Sequence, residues 1–338
     1  MADIRGALGQ VLGPAYRVER EVRPVGDCRM FVALDQATGA ELLVKVLPTS
    51  LSLGVDESRF ATNLLALGDR LTHPGLVVPR GGGRAGSFVY HTRPFVQGTT
   101  LRAWLARQGE LPLRRAVEIL HQILSALAHV HAAGIAHGDL KPEHILLADG
   151  QVLIADTGIF STVERSLVAS VRGKAYGAIV EALCTTEYLA PERRNGTAGV
   201  GPRDDMFAVG VTLHEMLTGR PPVEGAASPA EIRSVPPWLS ELERRCRSPE
   251  PASRWADASA ALANGSWPSG AGGAGGGGEG QWRERGGRPS PSAGSSSDSA
   301  RTERPLAVSR PSCSPSMTAT PRWRSVRTRS SPSWGSPR

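Results

Sequence analysis

His137-Gly138-Asp139-Leu140-Lys141-Pro142-Glu143-His144-Ile145-Leu146 sets an acid two positions before a lysine, flanks the pair with histidines, and then turns apolar. Residues 145–147 and 152–154 are short apolar runs around the turn pair Asp149-Gly150, which predicts a polar loop feeding a small hairpin. Ala155-Asp156-Thr157-Gly158 follows directly and puts a second acid on a turn-forming tripeptide. Neither stretch is specific alone, because an isolated His-x-Asp or Asp-x-Gly is a turn more often than a site.

Working outward, residues 16–22, 29–34 and 42–47 are β-rich or alternating, with turn chemistry at 35–39. Residues 57–71 predict a helix, with Phe60, Leu64, Leu67 and Leu71 at helical spacing and His73-Pro74 as its stop. Residues 75–78 and 87–91 predict two more strands, split by a glycine-rich turn at 81–86. After Gly98 the pattern is helical: 100–108, 206–217, 239–247, 256–262, and a long helix over 113–133 with Ala116, Ile119, Leu120, Ile123, Leu124, Leu127 and Val130 on its apolar side. Strands first and helices after, with polar loops between, predict an α+β domain of two lobes.

The 338 residues suit one large domain or two ordinary ones. From Asn264 onward the pattern stops: residues 270–280 are mostly glycine, and the rest is dominated by Ser, Pro, Arg and Gly. Such a segment buries too little apolar area to offset chain entropy, so 264–338 is expected to be a disordered tail. It carries eleven arginines, no lysine and four acids, which is the whole net charge of +7. The remaining domain is near neutral and gives no case for nucleic-acid binding. Trp267, Trp282, Trp323 and Trp334 are unusual company for a disordered segment. Two readings stand: GC-rich coding DNA translated in a shifted frame, or a genuine basic tail that contacts acidic surfaces or is phosphorylated at Ser-Pro sites. Cys28, Cys184, Cys246 and Cys313 have neither metal-like nor disulfide-like spacing, which fits a reduced, cytoplasmic setting. No apolar run approaches the roughly 18 residues of a membrane span, and the N-terminus has no signal-peptide pattern, so a soluble chain is expected.

The stretch from His137 to Leu146 resembles the catalytic loop of the protein kinases, and Asp156-Thr157-Gly158 resembles their magnesium-binding Asp-Phe-Gly. Tyr188-Leu189-Ala190-Pro191-Glu192 is similar to the Ala-Pro-Glu that closes the family's activation segment. The stretch from Asp205 to Pro222 is similar to the central helix and its exit, Arg254 stands where an arginine pairs with that glutamate, and Val44-Lys45 resembles the phosphate-anchoring strand. Six motifs in family order are specific, and the bacterial (Hanks-type) serine/threonine protein kinases are the nearest type. The resemblance implies a two-lobed kinase-like fold. An extension covers 1–15 and the domain 16–263, with a small β-rich N-lobe to about 96 and a larger helical C-lobe from about 97. It further implies that Lys45 anchors phosphates and Asp139 orients the substrate hydroxyl. Lys141 would steady the γ-phosphate, Asp156 would hold magnesium, and Thr185 would sit in the substrate loop bonded to Asp139. Pro94 to Val96 would form the adenine-reading hinge, and Glu192, Asp205 and Arg254 would support the frame.

Several positions depart from the family pattern. Of the glycine-rich loop only Gly26 remains, with Arg23, Val25 and Cys28 in place of glycines that let a backbone approach phosphates. The helix acid expected to pair with Lys45 falls on Asn63 or Leu64, and Glu57 lies nearly two turns early. The second magnesium ligand is His144, a poor donor for a hard cation. Gly138 replaces the arginine before the catalytic aspartate, and Leu43, Met30 and Arg93 crowd the adenine slot. Two functional expectations follow. One is a catalytically impaired member, a pseudokinase that signals through contacts with a protein client or partner kinase. The other is a low-rate serine/threonine kinase using ATP and Mg2+ through Lys45, Asp139, Lys141 and Asp156. A small-molecule kinase, whose loops often read His-Gly-Asp, fits poorly with Ala190-Pro191-Glu192.

Overall fold

The computed structural model describes residues 3–172, 176–196, 199–223 and 227–267. The expected tail beyond 267, with Cys313 and three of its tryptophans, lies outside the described residues.

The chain opens with helix α1 (Ile4–Leu12), where the Asp3 side chain accepts the Gly6 N–H and Gly13, at φ 68°, ends the helix. A five-stranded antiparallel sheet follows, built from β1 (Tyr16–Val25), β2 (Cys28–Asp35), β3 (Glu41–Val46), β5 (Gly81–Ala85) and β6 (Phe88–Pro94) in the order β1-β2-β3-β6-β5. Alternation gives it two faces. Val18, Phe31, Val44, Val46 and Tyr90 bury one face against Ile4 and Leu8 of α1. The other face carries two cross-strand rows, Val32–Leu43–Arg93 and Met30–Lys45–His91, which look toward the helical half. The N-terminal extension expected at 1–15 therefore contributes a helix to this core.

Helices α2 (Thr49–Ser52) and α3 (Glu57–Arg70) separate β3 from β4 (Leu76–Val77). The glycine-rich turn expected at 81–86 is instead the strand β5, and the tight turn is only Gly86-Ser87. The glycines are there for close approach: a Cβ on Gly82 would lie 2.5 Å from the Tyr90 carbonyl oxygen and 2.6 Å from Leu64 of α3. β4 lies in the stretch expected as a strand at 75–78, and it pairs in parallel with β9 (Gln151–Ala155) in a second sheet that includes β7 (Thr99–Thr100) and β8 (Ile145–Ala148).

The helical half is centred on α4 (Leu101–Gln108) and α5 (Leu113–Ala132), whose expected apolar side is buried throughout. The stretch after Asp156-Thr157-Gly158, for which no helix is predicted, forms α6 (Ile159–Ser166), α7 (Ala169–Arg172) and α8 (Tyr176–Leu183). Then come α9 (Pro191–Arg194), α10 (Pro202–Thr218), α11 (Pro229–Ile232), α12 (Pro237–Cys246) and α13 (Ala258–Asn264). α10 is buried from Asp204 to Leu217, which makes it the axis around which the others pack. Arg254, fully buried, donates to both Glu192 oxygens at 2.6 and 2.8 Å and joins α9 to the region before α13. Trp267, grouped with the tail in the sequence, packs edge-on to Trp238 and His121 and donates to the Leu262 carbonyl at 2.8 Å.

Leu8 is 0 % exposed, so Leu8→Ala should lower stability by about 2–5 kcal/mol in urea denaturation. A loss below about 0.5 kcal/mol would mean that α1 is not part of the cooperative unit.

Candidate active site

The loop from His137 to His144 is docked on α10 by one carboxylate. Asp205 accepts the backbone N–H groups of His137 (2.6 Å) and Gly138 (2.9 Å) and the His131 ring N–H (2.9 Å). Burial works against its charge, yet the His131 bond and these backbone donors hold its pKa below the ordinary value. Gly138 takes φ +80°, where a side chain is strained, and a Cβ there would meet Val200 at 3.0 Å.

Docking leaves Asp139 facing Lys141, with Nζ 2.9 Å from Oδ2. Burial raises the Asp139 pKa, and the nearby Lys141 only partly offsets it. Lys141 is 2 % exposed and donates to the Leu183 carbonyl oxygen at 2.6 Å, so the end of α8 covers it. Thr185 lines a small cavity beside Asp139 but makes no hydrogen bond to it among the described residues, because Lys141 holds that carboxylate. The cavity measures about 270 Å³ including its mouth, below the range of roughly 300–1,000 Å³ typical of small-molecule pockets.

Asp156 follows β9 in the left-handed region at φ +63°, and Gly158 (φ +72°) starts α6. Lys45 Nζ sits 2.7 Å from Asp156 Oδ2, and Arg93 Nε donates to Oδ1 at 3.2 Å. His144 completes the group. Its Nδ1–H donates to the Asp139 backbone oxygen at 2.8 Å, which leaves Nε2 as an acceptor 3.4 Å from Lys45 Nζ. Burial would raise the Asp156 pKa, but Lys45 first and Arg93 second hold it well below the ordinary carboxylate value. Burial pushes the His144 imidazole well down, with Lys45 and Lys141 adding to the effect, so it is neutral.

The helix departures have structural outcomes. Leu64 is fully buried against Phe60 and Ile159, Asn63 donates to the Ser166 hydroxyl at 3.0 Å, and Glu57 accepts the Arg84 N–H at 3.2 Å. Lys45 thus takes Asp156 as its counter-ion. At the hinge, the Phe95 N–H donates to the Glu41 oxygen at 3.0 Å, while Pro94 has no N–H and gives its carbonyl to Arg93 Nη1 at 3.3 Å. Val96 packs beside Val77, Leu146 and Ala155. Gly26, at φ +55°, is a turn residue between Val25 and Cys28, and a Cβ there would face the Ala182 carbonyl at 3.8 Å. Cys28 is buried in one cluster with Phe160, Ile179 and Leu183 of α6 and α8. The end of α6 is also tied to the segment before α3 by the Val55–Leu167 bridge and by Asp56 N–H donating to the Ser166 oxygen at 2.8 Å.

The family described as Protein kinase domain matches residues 26–258. The chain belongs to the protein kinase family. Its kinase domain is 32% identical over 273 residues to the serine/threonine-protein kinase PknL of Mycobacterium tuberculosis, covering 75% of this chain and 65% of that protein. It is 30% identical over 288 residues to PknA of the same organism, covering 77% and 64%. The chain thus spans just under two thirds of these relatives. The crystal structure of the Mycobacterium tuberculosis PknI kinase domain superposes with a TM-score of 0.58 at 20% identity over 75% of this chain and 97% of that one, a likeness of fold.

Protein kinases work with ATP and magnesium. The side chains here do not fit them in this arrangement. Lys45, His91, Arg93, His144 and Asp156 are all at most 8% exposed, so the protein's own side chains occupy this part of the cleft. Both Asp156 oxygens already face a fixed cation, and each cation within about 4 Å would repel a metal charge by roughly 4 kcal/mol per unit charge at an effective dielectric of 20.

Two residues of the site escaped the sequence reading. Arg193 donates to the Gly138 carbonyl (2.6 Å) and the Tyr176 hydroxyl (3.1 Å), with its guanidinium 4.4 Å over the Phe160 ring. It thereby fixes α6 and α8 next to Gly138, beside the position where the family's arginine is missing. Its only sequence signal was adjacency to Glu192. His91, 1 % exposed, has no hydrogen-bond partner for either ring nitrogen among the described residues, and an imidazole inside an alternating strand carries no distinguishing pattern.

Burial pushes the His91 pKa from 6.5 down to about 4, Lys45 and Arg93 adding to the effect. The unfolded chain therefore takes up a proton near 6.5 that the fold refuses until about pH 4. Stability is expected to fall as pH drops through that window, by on the order of 3 kcal/mol from this group. Urea titrations between pH 7 and 4.5 should show a shallower fall for His91→Leu than for the parent. Parallel curves would place the proton uptake elsewhere.

Proposed function

We propose that this chain is a catalytically impaired protein-kinase module, a pseudokinase that acts in signalling by contact with a protein client or partner kinase. One observation carries this reading: the Asp156 carboxylate is closed between Lys45 and Arg93 in a cleft filled by the protein's own side chains. The covering of Lys141 by Leu183 and the loss of a phosphate-approaching loop at Cys28 support it from the other side of the site. Removing a single charge-positioning group typically costs about 10²–10³ in rate, and here the phosphate cradle, the lysine's helix acid and the second metal ligand are altered together.

The second reading is a slow serine/threonine kinase that transfers the γ-phosphate of ATP to protein hydroxyls. It is favoured by one feature: Lys45, Asp139, Lys141 and Asp156 remain together in family order, with His144 touching both aspartates. That reading requires α8 to leave Lys141 and Arg93 to leave Asp156.

A thermal-shift titration with ATP and Mg2+ separates the two. A ligand at 100 times its Kd stabilises by about 2.7 kcal/mol, or roughly 5–10 °C for a domain of this size. The pseudokinase reading expects no saturable shift, and no transfer to Ser/Thr peptides above an Asp139→Asn control. A saturable shift together with labelling lost in Asp139→Asn would overturn it.

A further inference from the structure

We infer that Arg93 is a built-in cation that stands where a metal-bound nucleotide would have to sit, and that its charge and bulk weaken nucleotide binding at the front of the cleft. The inference deepens the pseudokinase reading and rests on it. Arg93 is the last residue before the hinge, in the same cross-strand row as Leu43 and Val32, so the strand aims its side chain into the cleft. Its guanidinium touches both ends of that cleft: Nη1 donates to the Pro94 carbonyl at 3.3 Å, and Nε donates to Asp156 Oδ1 at 3.2 Å. No small residue at this position could span from hinge backbone to carboxylate.

The chemistry of the substitution is specific. Asp156 Oδ2 faces Lys45 Nζ at 2.7 Å, so the carboxylate sees one positive charge on each oxygen. Two monocations so placed do for this carboxylate what a divalent ion would do, with the difference that they are covalently attached and never leave. At the hinge end, Arg93 takes the Pro94 carbonyl, and the Glu41 carbonyl takes the neighbouring Phe95 N–H. Arg93 is 8 % exposed, so the positions it blocks are closed to solvent as well. Lys45 remains beside Asp156 when Arg93 is removed, so one substitution frees a carboxylate oxygen while the contacts of α6 and α8 stay in place.

The test is nucleotide binding to Arg93→Thr in the full chain, measured by thermal shift and by fluorescent-ATP titration, with Mg2+ and with excess EDTA. Arg93→Met, which keeps the bulk without the charge, is read by the same criteria if the threonine variant does not give a cooperative unfolding transition. The expected result is at least tenfold tighter ATP binding than the parent chain, with the gain lost in EDTA because the freed Asp156 oxygen then needs a metal. A gain below tenfold in a folded variant overturns the inference. So does a gain that EDTA leaves intact, because Arg93 would then be a steric plug only. The ratio between variant and parent tests Arg93, whereas phosphoryl transfer by the parent chain tests the pseudokinase reading, so either can fail without the other.

Discussion

The buried carboxylate of Asp156 is the point on which the two halves of this molecule meet. It belongs to the helical half through β9, and both of its cations, Lys45 and Arg93, come from adjacent strands of the upper sheet. An isolated ion in such surroundings would cost several kcal/mol, so the three groups must be kept together or not buried at all. The same requirement explains why Asp156 tolerates a left-handed backbone: its geometry is fixed from both sides by charge. The arrangement closes the two lobes on one another through three side chains.

The segment after Gly158 reinforces that closure by a different force. α6 and α8 bury Phe160, Val163, Ile179 and Leu183 against Phe60 and Leu64 of α3 and against Cys28. Arg193 secures the arrangement from below by combining a carbonyl, a phenol and an aromatic face. Charge locks the front of the cleft and apolar packing locks the back. The substitutions at Cys28 and Leu64, which look like losses when compared with a phosphate loop and a helix acid, are the apolar contacts that this packing uses.

Much of the frame was legible because it rests on patterns with a fixed period or a fixed chemistry. The apolar side of α5, the strands around Lys45 and the Glu192–Arg254 pair all announce themselves as spacing or as motif. The closed state of the site was partly legible: Leu43 and Arg93 stood out as bulk and charge in an apolar slot, but nothing in the chain order says that Arg93 would reach Asp156. The misreadings share a cause. Gly81–Ala85 looked like a turn because glycine usually marks φ freedom, whereas here it admits Leu64 and the Tyr90 backbone. The helices between Ile159 and Leu183 were invisible because their apolar partners, Cys28 and Leu51 among them, lie more than a hundred residues earlier.

Trp267 carries a consequence for where the domain can be cut. Its indole meets Trp238 and His121 edge-on and closes a hydrogen bond to the Leu262 backbone. The indole therefore belongs with the folded domain rather than with the glycine-rich stretch that follows it in the sequence. A cut placed before this residue would uncover the ring faces of Trp238 and His121, so the smallest self-contained folding unit runs through it.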